Sequence, residues 1–302
     1  MTSHAASRRH RPRRIGLSPA DRLTVVLMVA IPSLVVIGLV WLPALATVVL
    51  SFFDWDGFTA FSDAQPVGGE FYHQAVSTYP AFWPAVQHNL IWLAVLFFVA
   101  TPLGMFVAVL LDHEAKHTWF YQTSFYLPVV LSMALVGFIW QLMFSRDEGL
   151  LNAVLGTRID WYGDSSVNLW SALIASTWRH MGYIMLLYLA GLKGVDNTLR
   201  EAARIDGASE VQTFFHVVFP VLRPINIIVL VVTVIESLRA FDLVWVINKG
   251  RNGLELISTE VTRNIVGEAQ RIGFGSALAT IMLLVSSVFI AIYLHIVMKE
   301  DA

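Results

Sequence analysis

Glu236, Arg239 and Asp242 stand three residues apart in an otherwise apolar run. On a helix that spacing sets them on neighbouring parts of one face, where the guanidinium can pair with either carboxylate. Ionisable groups in such a run are costly unless they pair or face water, which makes them functional candidates. Two readings stay open, a lock within a helix bundle or to a partner subunit, and the lining of a polar path. Trp178, Arg179 and Tyr183 carry the same pair of readings. An aromatic face stacks on sugar rings and a guanidinium binds hydroxyls, so these residues can line a path. Equally they can be a core Trp and an Arg paired across helices, for instance to Glu236. Catalysis is not expected of this chain. It has no G-x-x-x-x-G-K-[ST] and no Gly-Lys dipeptide, hence no phosphate-cradling loop for ATP. Cys is absent, which removes disulfides and thiolate metal sites, and no metal site is expected.

The elements that must position these residues are membrane helices. A chain of 302 residues that is 56% hydrophobic and 14% charged is too apolar for a soluble protein of this size. Residues 1–22 form a basic tail with Arg8, Arg9, Arg11, Arg13, Arg14 and Arg22. Basic patches can bind nucleic acid, but a tail placed before an apolar run holds the N-terminus in the cytoplasm, and no nucleic-acid partner is expected. The run from Leu23 to Phe53 contains Ala44-Leu45-Ala46, a possible cleavage site. It is nonetheless longer than the roughly 7–15 residues of a signal-peptide apolar region and reads as an uncleaved first span.

Five further runs have the length of about 20 residues that a helix needs to cross a bilayer core. They are Val86–Leu111, Tyr121–Phe144, Val167–Leu192, Ile225–Ile247 and Phe274–Met298. The fold class that follows is all-α, a polytopic membrane protein with six transmembrane helices over 23–298, a cytoplasmic loop at 193–224 and a cytoplasmic C-terminus at 299–302. With the N-terminus inside, twelve Lys and Arg fall on the cytoplasmic side against six outside, Arg179 and Arg239 lying within spans. Trp83, Trp92, Trp119, Trp161 and Trp170 fall near span ends and read as interfacial anchors.

The stretch Glu201 to Pro224 is a polar island between two of those runs. Thr198 and Glu201 have the S/T-x-x-E spacing of a capping box, which places a helix start near Thr198. Gly207 is the residue best able to turn left-handed and end a short helix, and Ser209 or Ala208 can open a second. Pro220 and Pro224 are expected to stop that second helix.

Glu201-Ala202-Ala203, three residues, Gly207, nine residues, Val217, one residue, Phe219-Pro220 resembles the EAA loop of ABC-importer permeases, whose usual form is EAA, three, G, nine, I, one, LP. Asp206 before Gly207 and Ala208 after it narrow the resemblance to the carbohydrate-uptake class, relatives of maltose and glycerol-phosphate transporter subunits. Phe241-Asp242 resembles that class too, although Asn248-Lys249-Gly250-Arg251-Asn252-Gly253 replaces its common Thr-Gly-Gly-Gly-Pro, and Asp196 stands where Pro is frequent. The resemblance implies a permease subunit in the plasma (inner) membrane that carries a sugar or polyol. It implies coupling to ATPases through Glu201, Ala202, Ala203, Asp206, Gly207 and Pro220. It also implies partners: a second homologous permease, two ATP-binding subunits that hold ATP-Mg, and an extracellular solute-binding protein, all in contact with membrane lipid. This chain itself would hold no cofactor. A secondary transporter driven by an ion gradient is the alternative, with Glu236, Arg239 and Asp242 as coupling groups, but it leaves the loop spacing unexplained.

Overall fold

The computed structural model describes residues 18–112, 118–267 and 270–300. The first five arginines of the tail, Lys116 and residues 301–302 lie outside it. The chain divides into two units, 1–47 and 48–302.

In the first unit a helix begins at Pro19 and continues to Leu50 (α1). Ser18 and Asp21 satisfy each other's backbone N–H groups, and Pro19 occupies the first helical position, where its missing donor costs nothing. The helix therefore starts four residues before Leu23, and Arg22 belongs to it rather than to the tail. Large apolar side chains are exposed on every side of it, Leu39 by 74% and Met28 by 71%, as befits a helix whose solvent is hydrocarbon.

The second unit opens with a two-stranded antiparallel ribbon, β1 (Phe53–Asp54) and β2 (Gln65–Pro66). The helices that follow are α2 (Glu70–Ser77), α3 (Phe82–Asp112), α4 (Thr118–Val130), α5 (Met133–Met143), α6 (Leu150–Leu155), α7 (Asn168–Lys193) and α8 (Asn197–Ile205). After them come α9 (Glu210–Val221), α10 (Arg223–Leu238), α11 (Asp242–Asn248), α12 (Ile257–Ile265) and α13 (Ile272–Glu300). The all-α class holds. Among the described residues α1, α3 and residues Ile272–Ile292 of α13 are long and apolar enough to cross a membrane, and up to five crossings follow if each bent pair of helices is one span.

Two expected spans are not straight. The run 121–144 turns by 104° between α4 and α5. Pro128, inside the last turn of α4, removes one ladder hydrogen bond shortly before the helix ends at Val130, and Ser132 caps α5 by accepting the Leu135 N–H. The run 225–247 is interrupted after Arg239, whose N–H closes α10 on Ile235, and Phe241 leaves helical geometry at φ -143 and ψ -63 before α11 begins. Both interruptions pack around α7, which runs through the centre with Ser171, Ser176 and His180 buried. At Gly182 of α7 a Cβ would collide with the Phe125 carbonyl of α4, so only glycine permits this backbone approach. One buried cluster gathers Trp92, Leu96, Val136, Leu173 and Val244, and a second gathers Ala108, Ile184, Tyr188, Leu222 and Val229. Phe71, Phe82, Phe274 and Leu278 form a third.

Candidate functional site

The two helix interruptions meet at one cavity of about 200 Å3, lined among others by Trp92, Ser176, Arg179, Glu236, Arg239 and Asp242. Four of the six sequence candidates are thus brought together from α7, α10 and α11. Trp178 and Tyr183 do not line it. Trp178 packs edge-on against Trp140, ring centroids 5.8 Å apart, beside the first cluster, and Tyr183 packs against the second. On their other side Arg239 and Asp242 border a larger groove of about 680 Å3 with Ser258 and Thr262 of α12 and Ser286 of α13.

The expected ion pairing within Glu236, Arg239 and Asp242 is not made. Among the described residues none of the three has an ion pair, nor does Arg179, whose Nε donates instead to the Leu131 carbonyl at the α4–α5 bend, 3.4 Å away. The reason is the interruption itself. A continuous helix would place positions 239 and 242 on adjoining parts of one face, whereas here the chain leaves helical geometry between Leu238 and Asp242, with Phe241 at φ -143 and ψ -63, and Arg239 and Asp242 are both exposed. Charges without a built-in partner in a polar cavity are candidates to bind what enters it.

Several members of this region were not legible as candidates. Trp92, expected as an interfacial anchor, is 1% exposed and borders the cavity. Behind it His180 Nε2 lies 3.1 Å from the Thr233 hydroxyl, and Thr233 lies 3.4 Å from that of Thr101, a buried polar tie across α7, α10 and α3. A polar residue recurring in each apolar run was the only available signal.

The 193–224 loop is built differently. Asp196, not Thr198, caps α8: its carboxylate accepts the Thr198 N–H at 2.9 Å, and that hydrogen bond holds its carboxyl below the usual value. Glu201 therefore lies mid-helix and exposed, not in a capping box. Ala202 is exposed beside it, Ala203 is buried, and Asp206 ends the helix with its N–H on the Ala202 carbonyl. Gly207 adopts φ +81, the left-handed turn expected of it. Ser209 then opens α9 in a capping box with Gln212. Pro220 does not stop α9 but lies in its last turn; the chain bends by 76° one step later, at Leu222, and Pro224 sits at the start of α10.

Four charges of the loop, Lys193, Arg200, Arg204 and Glu210, are paired. Asp112, at the end of α3 with a side chain 7% exposed, accepts Arg200 of α8 at 2.7 Å and Lys193 of α7 at 3.2 Å. Arg204 and Glu210 join across the Gly207 turn at 2.8 Å. These residues and Glu201 border a cavity of about 410 Å3. Outward, Ile205 is 86% exposed, with Val211 and Phe215 also bare. An apolar surface on an otherwise polar loop suits contact with another protein.

His113-Glu114-Ala115-Lys116-His117 has the H-E-x-x-H spacing that can set two imidazoles on one helical face, a pattern that departs from the expectation of no metal site. It lies outside the described residues, and among those described no three His, Asp or Glu side chains gather as a metal site.

Residues 100–299 match the family described as binding-protein-dependent transport system inner membrane component. The xylose/arabinose import permease protein XacH of Haloferax volcanii is 33% identical over 83% of this chain and 80% of its own. The arabinooligosaccharides transport system permease protein AraP of Halalkalibacterium halodurans is 32% identical over 68% of each chain. The crystal structure of a bacterial ABC transporter involved in the import of the acidic polysaccharide alginate superposes with a TM-score of 0.79 at 18% identity, over 93% of this chain and 96% of that one, a likeness of fold.

Proposed function

The chain belongs to the binding-protein-dependent inner-membrane transport components, and on that premise we infer that it is the permease subunit of an ABC importer for a sugar or related polyol. The names of the xylose/arabinose and arabinooligosaccharide relatives favour a pentose or a short pentose-containing saccharide. The ion-gradient alternative finds no support in this membership.

The observation that carries the reading is the loop. The spacing Glu201-Ala202-Ala203 to Gly207 to Pro220 is realised as two capped helices hinged on a left-handed Gly207, with Ile205, Val211 and Phe215 bare for a partner. In this reading six spans leave both termini and the loop in the cytoplasm. Two ATP-binding subunits hold ATP-Mg and receive Glu201, Ala202, Ala203, Asp206, Gly207 and Pro220. Their closure displaces α8 and, through the Arg200–Asp112 and Lys193–Asp112 pairs, pulls on α3 and α7 together. A second, similar permease completes the path, and an extracellular solute-binding protein delivers substrate to Arg179, Glu236, Arg239 and Asp242.

The assembled complex in liposomes tests this. Uptake of xylose, arabinose or an arabinooligosaccharide is expected only with ATP and the loaded binding protein. Uptake that persists without ATP and collapses with the ion gradient overturns the reading.

A further inference from the structure

The interruption between α10 and α11 is held from outside by two side chains, and we propose that Asn89 and Ser258 are positioning residues that set where Arg239 and Asp242 stand. The proposal rests on the permease reading above and adds to it how the charged lining is held in place.

A helix that stops inside a protein leaves carbonyls without their i+4 partners. Here two of them are met by side chains. Asn89 of α3, buried, donates from Nδ2 to the Ser237 carbonyl at 3.2 Å. Its Oδ1 accepts the Ile257 N–H at 3.0 Å, the first residue of α12. Since a backbone carbonyl can only accept and an N–H can only donate, these partners fix the orientation of the amide. The next residue, Ser258, donates its hydroxyl to the Ala240 carbonyl at 2.5 Å. The start of α12 is thus bolted to the interruption twice, once through Asn89 and once directly.

The other end of the linkage reaches the segments around α2 and α11. Glu260 of α12, buried, accepts the Tyr79 hydroxyl and pairs with Arg263, and Arg263 in turn donates to the Gly250 carbonyl beyond α11. A displacement of α12 therefore withdraws the Ser258 hydroxyl from the Ala240 carbonyl and the Ile257 N–H from Asn89, loosening the amide that holds the Ser237 carbonyl, and the break between α10 and α11 rearranges so that Arg239 and Asp242 turn relative to the cavity. Asn89 and Ser258 touch no substrate in this scheme. They transmit the position of α12 to residues that do.

The native chain has no Cys, so a single cysteine reports directly on the lining. The assembled complex is compared in five forms, each alone and with Phe241→Cys: unmodified, Asn89→Leu, Asn89→Asp, Ser258→Ala and Ser258→Thr. Asn89→Asp keeps the acceptor for Ile257 but loses the donor to Ser237, and Ser258→Thr keeps the hydroxyl. The half-saturating substrate concentration for transport is expected to rise about tenfold in Asn89→Leu and Ser258→Ala, the size of one lost buried hydrogen bond, with Asn89→Asp intermediate and Ser258→Thr near the unmodified value. In the Phe241→Cys forms, modification of the introduced thiol by a charged reagent should change in rate in the same order. Unchanged half-saturation together with an unchanged labelling rate in Asn89→Leu and Ser258→Ala overturns the proposal. Should Asn89→Leu fail to assemble, the Ser258→Ala and Ser258→Thr pair decides. Should no form transport sugar, the permease reading fails instead, and the labelling rates still decide the role of Asn89 and Ser258.

Discussion

Two charged regions of this molecule are organised in opposite ways. Around the 193–224 loop Asp112 holds Arg200 and Lys193, and Arg204 holds Glu210. In the cavity beside α7 the side chains of Arg179, Glu236, Arg239 and Asp242 sit near one another, and no ion pair forms between them among the described residues. The first arrangement is a framework, in which each charge is satisfied by the protein and moves with it. The second is a surface, in which charges are oriented by the fold but keep their binding capacity. A charge with a built-in partner resists removal because the partner is stranded. A charge facing water loses little when removed but takes its interaction with an incoming group along with it.

The largest expected effect follows at Asp112. Asp112→Leu strands Arg200 and Lys193 and should cost about 2–3 kcal/mol, at or below the low end for a fully buried pair because Lys193 is 60% exposed. Thermal unfolding of the purified complex measures it, and a melting temperature unchanged from the parent would remove Asp112 from the framework.

Next comes the turn between α8 and α9. Gly207→Val forces a β-branched residue to φ +81 with no neighbour within 4 Å of the new Cβ, so the loss is conformational, roughly 1–2 kcal/mol. Transport should fall while membrane insertion survives. In the same loop Asp196→Ala should loosen α8 more than Glu201→Ala does, since only Asp196 caps it. Because the carboxyl of Asp196 is held below its ordinary value of 3.8, the cap stabilises above that pH and fades as pH falls beneath it. Protease cleavage within 193–224, followed across pH 3 to 7, reads both effects, and equal cleavage of the two alanine variants contradicts the assignment of the cap.

The smallest stability change is expected at Arg239. Arg239→Leu removes an exposed, unpaired charge and should shift stability by no more than about 0.5 kcal/mol. The complex should assemble, and hydrolyse ATP in response to the loaded binding protein, yet move little substrate. A variant that purifies poorly or falls apart on mild heating would make Arg239 part of the framework after all, and the contrast between the two regions would disappear.

Much of the loop was legible from its own residues. Gly207, the Ser209 start and the spacing from Glu201 to Pro220 are local matters, settled by φ preference and by hydrogen bonds that reach two or three residues. Two readings there fail: Thr198 as the cap in place of Asp196, two capping-competent residues two positions apart, and Pro220 as the stop of a helix that carries it in its last turn. In the apolar runs the position of most helices was legible too, because length and hydropathy bound them. Their interruptions were not. Nothing near Arg239 in the sequence distinguishes a broken helix from a continuous one.

By itself, then, the sequence determined an all-α chain, the place of its polar loop, the left-handed turn within it, and which residues were worth suspecting. Only the tertiary structure decided which of those residues face a common cavity and which of their charges are paired. The physical reason is the distance along the chain over which each is settled. Asp112 finds Arg200 from another helix, and Asn89 satisfies the Ser237 carbonyl across 148 residues, so neither pairing leaves a mark at either site until the helices have packed.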